Sequence, residues 1–66
     1  MQVVVNGESR AVPEDLDVLG LLEHLGITAA KVAVELDGAI VRQPDWTTQK
    51  IHPGAQIEIV QFVGGG

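Results

Sequence analysis

Gly64, Gly65 and Gly66 follow the strand-like stretch "QIEIVQFV" with no other residue after them. Glycine has no β-carbon, so a Gly-Gly end can thread a channel too narrow for any other residue. Such an end brings a main-chain carboxylate next to a reactive group. Fully extended, Val63 to Gly66 reach roughly 13–14 Å, enough to enter a partner's active site while the folded body stays outside. A bare carboxylate is a poor electrophile. Activation by a nucleotide would convert it to an acyl adenylate, and attack by sulfur would then leave a terminal thiocarboxylate. A frayed end or a remnant of expression would look the same, so the remaining residues must discriminate.

Side chains offer little competing chemistry. The chain has no cysteine, which excludes disulfides, thiolate catalysis and cysteine-ligated zinc and suits a reducing cytoplasm. It also leaves no internal thiol to compete for an activated acyl group. His24 lies off the apolar face of a helix and His52 in a turn, at a spacing that fits no metal motif. Glu14, Asp15 and Asp17 cluster where a helix begins, and there they favour the helix dipole rather than acting as a catalytic carboxylate pair. Ser9 has no nearby base. The glycines precede no helix and no lysine, so they form no phosphate-binding loop.

Composition narrows the partners. The 66 residues make one domain, stable by on the order of 3–5 kcal/mol and too small for an enclosed active-site cavity. A hydrophobic content of 45% argues against disorder. Nine acidic against four basic residues give a net charge of −5, which disfavours nucleic acid and anionic membranes and suits solubility or docking on basic protein surfaces. Trp46 and Phe62 are the only aromatics, too few for a base-stacking platform. The apolar runs are too short to span a bilayer, and "MQVVVNGE" does not read as a signal peptide.

The elements that must carry the tail are legible from periodicity. "VVVNGESRAV" predicts strands over 2–5 and 8–12 joined by an Asn6-Gly7 hairpin turn, with Pro13 ending the second. Val18, Leu21, Leu22 and Leu25 recur at i, i+3, i+4, i+7, one face of a helix. Asp17 is placed as its N-cap, Leu16 and Leu21 as a hydrophobic staple, and Gly26 at C′. Gly20 should cost this helix roughly 1 kcal/mol relative to Ala. "VAVEL" alternates, Asp37-Gly38 makes a second hairpin turn into a strand at 39–42, and Pro44 opens a helical turn around Trp46, a lid on one edge of the core. "HPGA" turns into the last strand. The order β-β-α-β-β-β predicts an α+β β-grasp, ubiquitin-like, with a mixed sheet of four to five strands on one main helix. The first and last strands are then parallel neighbours. Residues 1–63 form the domain and 64–66 a flexible tail.

The last strand changes phase. Ile57 and Ile59 point to one face, whereas Val60 and Phe62 point to the other, and Val4 has the same awkward parity relative to Val3 and Val5. One helix covers one face only. Either a bulge near 59–60 restores a single buried face, or Val4, Val60 and Phe62 form an exposed apolar patch just before the tail, a docking surface. Burial of Phe62 decides between them.

The segments "VNGE", "LLEHLG", "VAVELDGAIV", "DW" (Asp45-Trp46) and "GAQIEIVQFVGGG" together resemble the ThiS family, the sulfur carriers of thiamine thiazole biosynthesis, over essentially the whole chain. The resemblance implies a cytoplasmic carrier that is a co-substrate rather than an enzyme and holds no cofactor. Its terminal Gly66 would be adenylated by an E1-like, ThiF-type adenylyltransferase that uses ATP and Mg. Sulfur supplied through a cysteine desulfurase would give the Gly66 thiocarboxylate, and a ThiG-type thiazole synthase would accept that sulfur into a ring built from deoxyxylulose phosphate and a glycine-derived imine. Gly65 and Gly66 match the family's diglycine, Gly64 is the extra glycine that some members carry, and Gly64, Gly65, Val63, Phe62, Val60 and Val4 fall to partner binding. A MoaD-like carrier for molybdopterin is the alternative within this chemistry, although those chains are usually longer and approach the diglycine through a proline. A carrier for another pathway, a non-covalent ubiquitin-like binding module and a fragment of an enzyme also stay open.

Overall fold

The computed structural model describes residues 1–62, with Ala29 described by its backbone alone. Strands β1 (Gln2–Val5) and β2 (Glu8–Ala11) pair antiparallel across the Asn6-Gly7 turn. Helix α1 (Val18–His24) crosses to β3 (Val32–Leu36), which pairs antiparallel with β4 (Ala39–Val41) across Asp37-Gly38. β5 (Gln56–Gln61) then enters between the two hairpins, giving the sheet order β2-β1-β5-β3-β4. It runs parallel to β1 and antiparallel to β3, the expected mixed five-strand β-grasp sheet on one helix. Short 3₁₀ turns at Ala29–Lys31 and Gln43–Asp45 complete the chain; the second was expected from Pro44, the first was not.

Local chemistry explains each element. Asn6 and Gly7 take φ of 50° and 82°, and Asp37 and Gly38 take 50° and 86°, the left-handed pairs that a two-residue hairpin turn with the right twist requires. In α1 the Asp17 carboxylate accepts from the Gly20 amide at 2.7 Å, capping the first turn, and Gly26 at φ 72° follows the last. Gly20 has a packing reason as well as a propensity cost. A β-carbon there would stand 3.2 Å from the Asp17 carboxylate and 3.3 Å from a Leu16 methyl, tighter than ordinary contact.

The core is the inner face of the sheet under α1. Val3, Val5, Val34, Leu36 and Ile57 meet Val18, Leu21 and Leu22, and Leu16 and Leu25 pack at the edge of this cluster. Trp46, 3% exposed, closes the β4 edge. Its indole Nε1 donates to the Val41 carbonyl at 2.8 Å, so the lid also satisfies a backbone acceptor of the edge strand.

A polar joint ties the second hairpin turn to the start of β5. The Gln56 amide donates to Asp37 Oδ1 at 2.9 Å, and the Asp37 amide donates to the Gln56 carbonyl at 2.8 Å. His52 Nε2 lies 2.6 Å from Asp37 Oδ2, while Nδ1 lies 2.8 Å from the Pro53 carbonyl. Both partners are acceptors, so the ring satisfies both only as imidazolium. The bond to Asp37, helped by the Pro53 carbonyl, holds His52 above the ordinary 6.5. The Gln56 amide, then His52, holds Asp37 below 3.8.

Two expectations follow from these contacts. Asp17→Ala should lower the unfolding free energy by about 1 kcal/mol in urea titrations, the usual worth of an N-cap. The joint's contribution is present above the unfolded carboxylate's pKa and below that of the unfolded imidazole. It fades as pH rises through the raised value of His52, and again as pH falls through the lowered value of Asp37. The stability difference between the natural chain and His52→Ala should therefore be larger at about pH 5 than at about pH 9. An unchanged difference would refute the imidazolium assignment.

Candidate functional site: the root of the glycine tail

The site consists of the end of β5 and what holds it. Along β5 the register with β3 advances one for one, from Leu36 opposite Ile57 to Val32 opposite Gln61. No residue is left over, so there is no bulge, and the phase change in "IEIVQF" is carried onto the surface. Ile57 is buried and Ile59 is half-buried on the core side, whereas Val60 and Phe62 are each 57% exposed. Past the strand, the Phe62 amide donates to the Lys31 carbonyl at 2.8 Å, extending the β3 ladder by one more bond.

The patch is smaller than its three candidate residues suggest. Val4 is half-buried and lies level with Gln56 on β5 and Ser9 on β2. Val60 is four positions further along β5, about 13 Å away at the rise of a strand. Exposed Ile40 shares that outer face, but it lies across β3 from β5, level with Glu35 on β3 and, beyond it, Glu58 on β5 rather than Val60. The structure thus brings Val60 and Phe62 together and sets Val4 and Ile40 apart. Val63, Gly64, Gly65 and Gly66 lie outside the described residues.

On the β1 side the hold comes from a side chain that the sequence reading missed. Asn6 Oδ1 accepts from the Ile59 amide at 2.7 Å, and Asn6 Nδ2 donates to the Ile59 carbonyl at 3.2 Å. The available signal was the choice of Asn at a turn position where Asp also works: only the carboxamide both donates and accepts. Asp37, at the equivalent place in the other hairpin, is an acceptor only, and it meets the Gln56 amide and the His52 ring rather than a carbonyl.

Three other polar side chains singled out from the sequence have structural uses, and a fourth only meets solvent. Asp17 caps α1, Ser9 donates to Gln2 Oε1, His52 belongs to the Asp37 joint, and His24 is exposed at the helix end. An open groove beside β4, lined by Ile40, Asp45, Thr48 and Gln49 among others, gathers no catalytic set. Among the described residues no three His, Asp or Glu side chains are placed to hold a metal, and no helix is long and apolar enough to cross a membrane.

Comparison with known proteins adds what geometry alone does not. The model of the ThiS family matches residues 3–66, nearly the whole chain and all three terminal glycines. The chain belongs to the ThiS family. Its fold superposes on the crystal structure of the thiamine biosynthesis protein ThiS from Geobacter metallireducens with a TM-score of 0.86 at 33% identity, each chain covered in full. Two curated relatives, named thiazole synthase, come from Paramagnetospirillum magneticum and Magnetococcus marinus and are 39% and 36% identical over all 66 residues. The chain spans about a fifth of the length of those relatives, 20% in each case.

If Val60 and Phe62 are surface groups, the double substitution Val60→Ser and Phe62→Ser should change unfolding free energy by no more than about 0.5 kcal/mol. A loss of several kcal/mol in chemical denaturation would show that they pack against something.

Proposed function

We propose that this chain is a sulfur carrier of thiamine biosynthesis whose reacting group is the main-chain carboxylate of Gly66. One observation carries the reading: the segment matched by the ThiS family includes the whole glycine run, the feature with the reach and slimness to enter a partner's active site. In this reading the chain is a co-substrate of partner enzymes rather than an enzyme.

In this reading a ThiF-type adenylyltransferase, using ATP and Mg, activates the Gly66 carboxylate as an acyl adenylate. The outer sulfur of a persulfide supplied through a cysteine desulfurase attacks the acyl carbon and displaces AMP. A thiol then attacks the inner sulfur of the resulting acyl disulfide, forming a disulfide and releasing the thiocarboxylate. A ThiG-type thiazole synthase then takes the sulfur into the thiazole ring. Support for that last partner comes from the two relatives named thiazole synthase, in which the matched segment is part of a longer polypeptide. Val60 and Phe62 rest against the partner, and Val63 to Gly65 thread toward its active site. The carrier binds no cofactor of its own and works in the cytoplasm.

The decisive assay is intact mass after incubation with a ThiF-type enzyme, ATP, Mg and a sulfur source. The natural chain should gain the mass difference between sulfur and oxygen. A chain lacking Gly66 should fold normally and gain nothing. A fully loaded truncated chain, or no shift in the natural one, would refute the carrier reading.

A further inference from the structure

β5 is longer than the part of β1 that pairs with it. β1 stops at Val5 because Asn6 and Gly7 turn the chain away into β2, while β5 continues to Gln61. The regular part of the parallel ladder includes Val4 N–H to the Ala55 carbonyl at 2.9 Å and Asn6 N–H to the Ile57 carbonyl at 2.8 Å. The next rung would serve Ile59, and the β1 backbone is no longer there to supply it. The Asn6 carboxamide takes its place, accepting from Ile59 N–H and donating to Ile59 C=O in the pattern of a peptide unit. Beyond this point β5 is held by β3 and, through Phe62, by Lys31.

We propose that Asn6 is a positioning residue for the tail chemistry: its side chain extends the β1–β5 ladder by one rung and so sets the direction in which the strand delivers Gly64 to Gly66. The assignment rests on the carrier reading. Asn6 does not touch the reacting atoms. It acts through Ile59, which it holds on the side of β5 opposite β3. A strand held on both edges resists twisting about its own axis better than one held on a single edge. The direction in which β5 ends depends on that twist.

Two substitutions keep the turn and remove the rung in steps. Asn6→Asp retains the left-handed turn, as Asp37-Gly38 demonstrates in the same chain, and keeps the acceptor while losing the donor. Asn6→Gly retains the turn and loses both. Backbone amide exchange, followed by NMR on the full chain, reads the rung without any partner. The Ile59 amide should exchange roughly tenfold faster in Asn6→Gly, with a smaller change in Asn6→Asp, while the Val34 and Leu36 amides keep their protection. With a ThiF-type enzyme, ATP and a sulfur source, the kcat for loading should fall in the same order, natural chain above Asn6→Asp above Asn6→Gly. KM should stay within about twofold, because the docking surface is intact. Unchanged Ile59 exchange overturns the rung. Faster exchange with unchanged kcat overturns the positioning role and leaves the carrier reading standing. A natural chain that takes up no sulfur, even with Ile59 protected by Asn6, overturns the carrier reading and the positioning role together.

Discussion

Everything in this molecule depends on how β5 is seated. It is the central strand, inserted last in sequence between two hairpins that have no direct pairing with each other. Ile57, 1% exposed, anchors it under α1, and its two edges bond to β1 and β3. One helix of seven residues can cover only one face of a five-strand sheet, so the opposite side of β5 stays in water. That limit turns Val60 and Phe62 outward. The strand that completes the core therefore also carries the exposed apolar pair and, after it, the glycine run.

The two hairpin turns serve this seating twice over. Their backbones need left-handed geometry, which Asn-Gly and Asp-Gly supply at little strain. Their first side chains then reach sideways to β5, Asp37 to its entry at Gln56 and Asn6 towards its exit at Ile59. The carboxylate suits a single amide and a protonated imidazole; the carboxamide suits an amide and a carbonyl together. Each turn is thereby matched to the backbone groups it faces, and the two are not interchangeable.

Much of this architecture was legible from local pattern. The Xaa-Gly turns, the four apolar helix positions from Val18 to Leu25, the Asp17 cap and the order of elements lead to the parallel β1–β5 pair without tertiary information. The phase change at Val60 was visible too, but parity alone could not separate a bulge from an exposed patch. That choice depends on the β3 register, which is a long-range pairing. The Asn6 rung joins residues 53 positions apart, and the Asp37–His52 contact spans 15; neither leaves a trace in periodicity. Val4 shows the same limit: its parity matched Val60, but the spacing of the paired strands puts it too far along the sheet to share a patch.

The proposed chemistry lies in the main chain at Gly66, with the folded body positioning it. Fragmentation mass spectrometry of the sulfur-loaded chain tests this most directly, because it locates the added sulfur. The account predicts that C-terminal fragments carry the mass change down to the smallest one containing Gly66, and that no N-terminal fragment lacking Gly66 carries it. Sulfur found on any fragment that ends before Gly66 would contradict it.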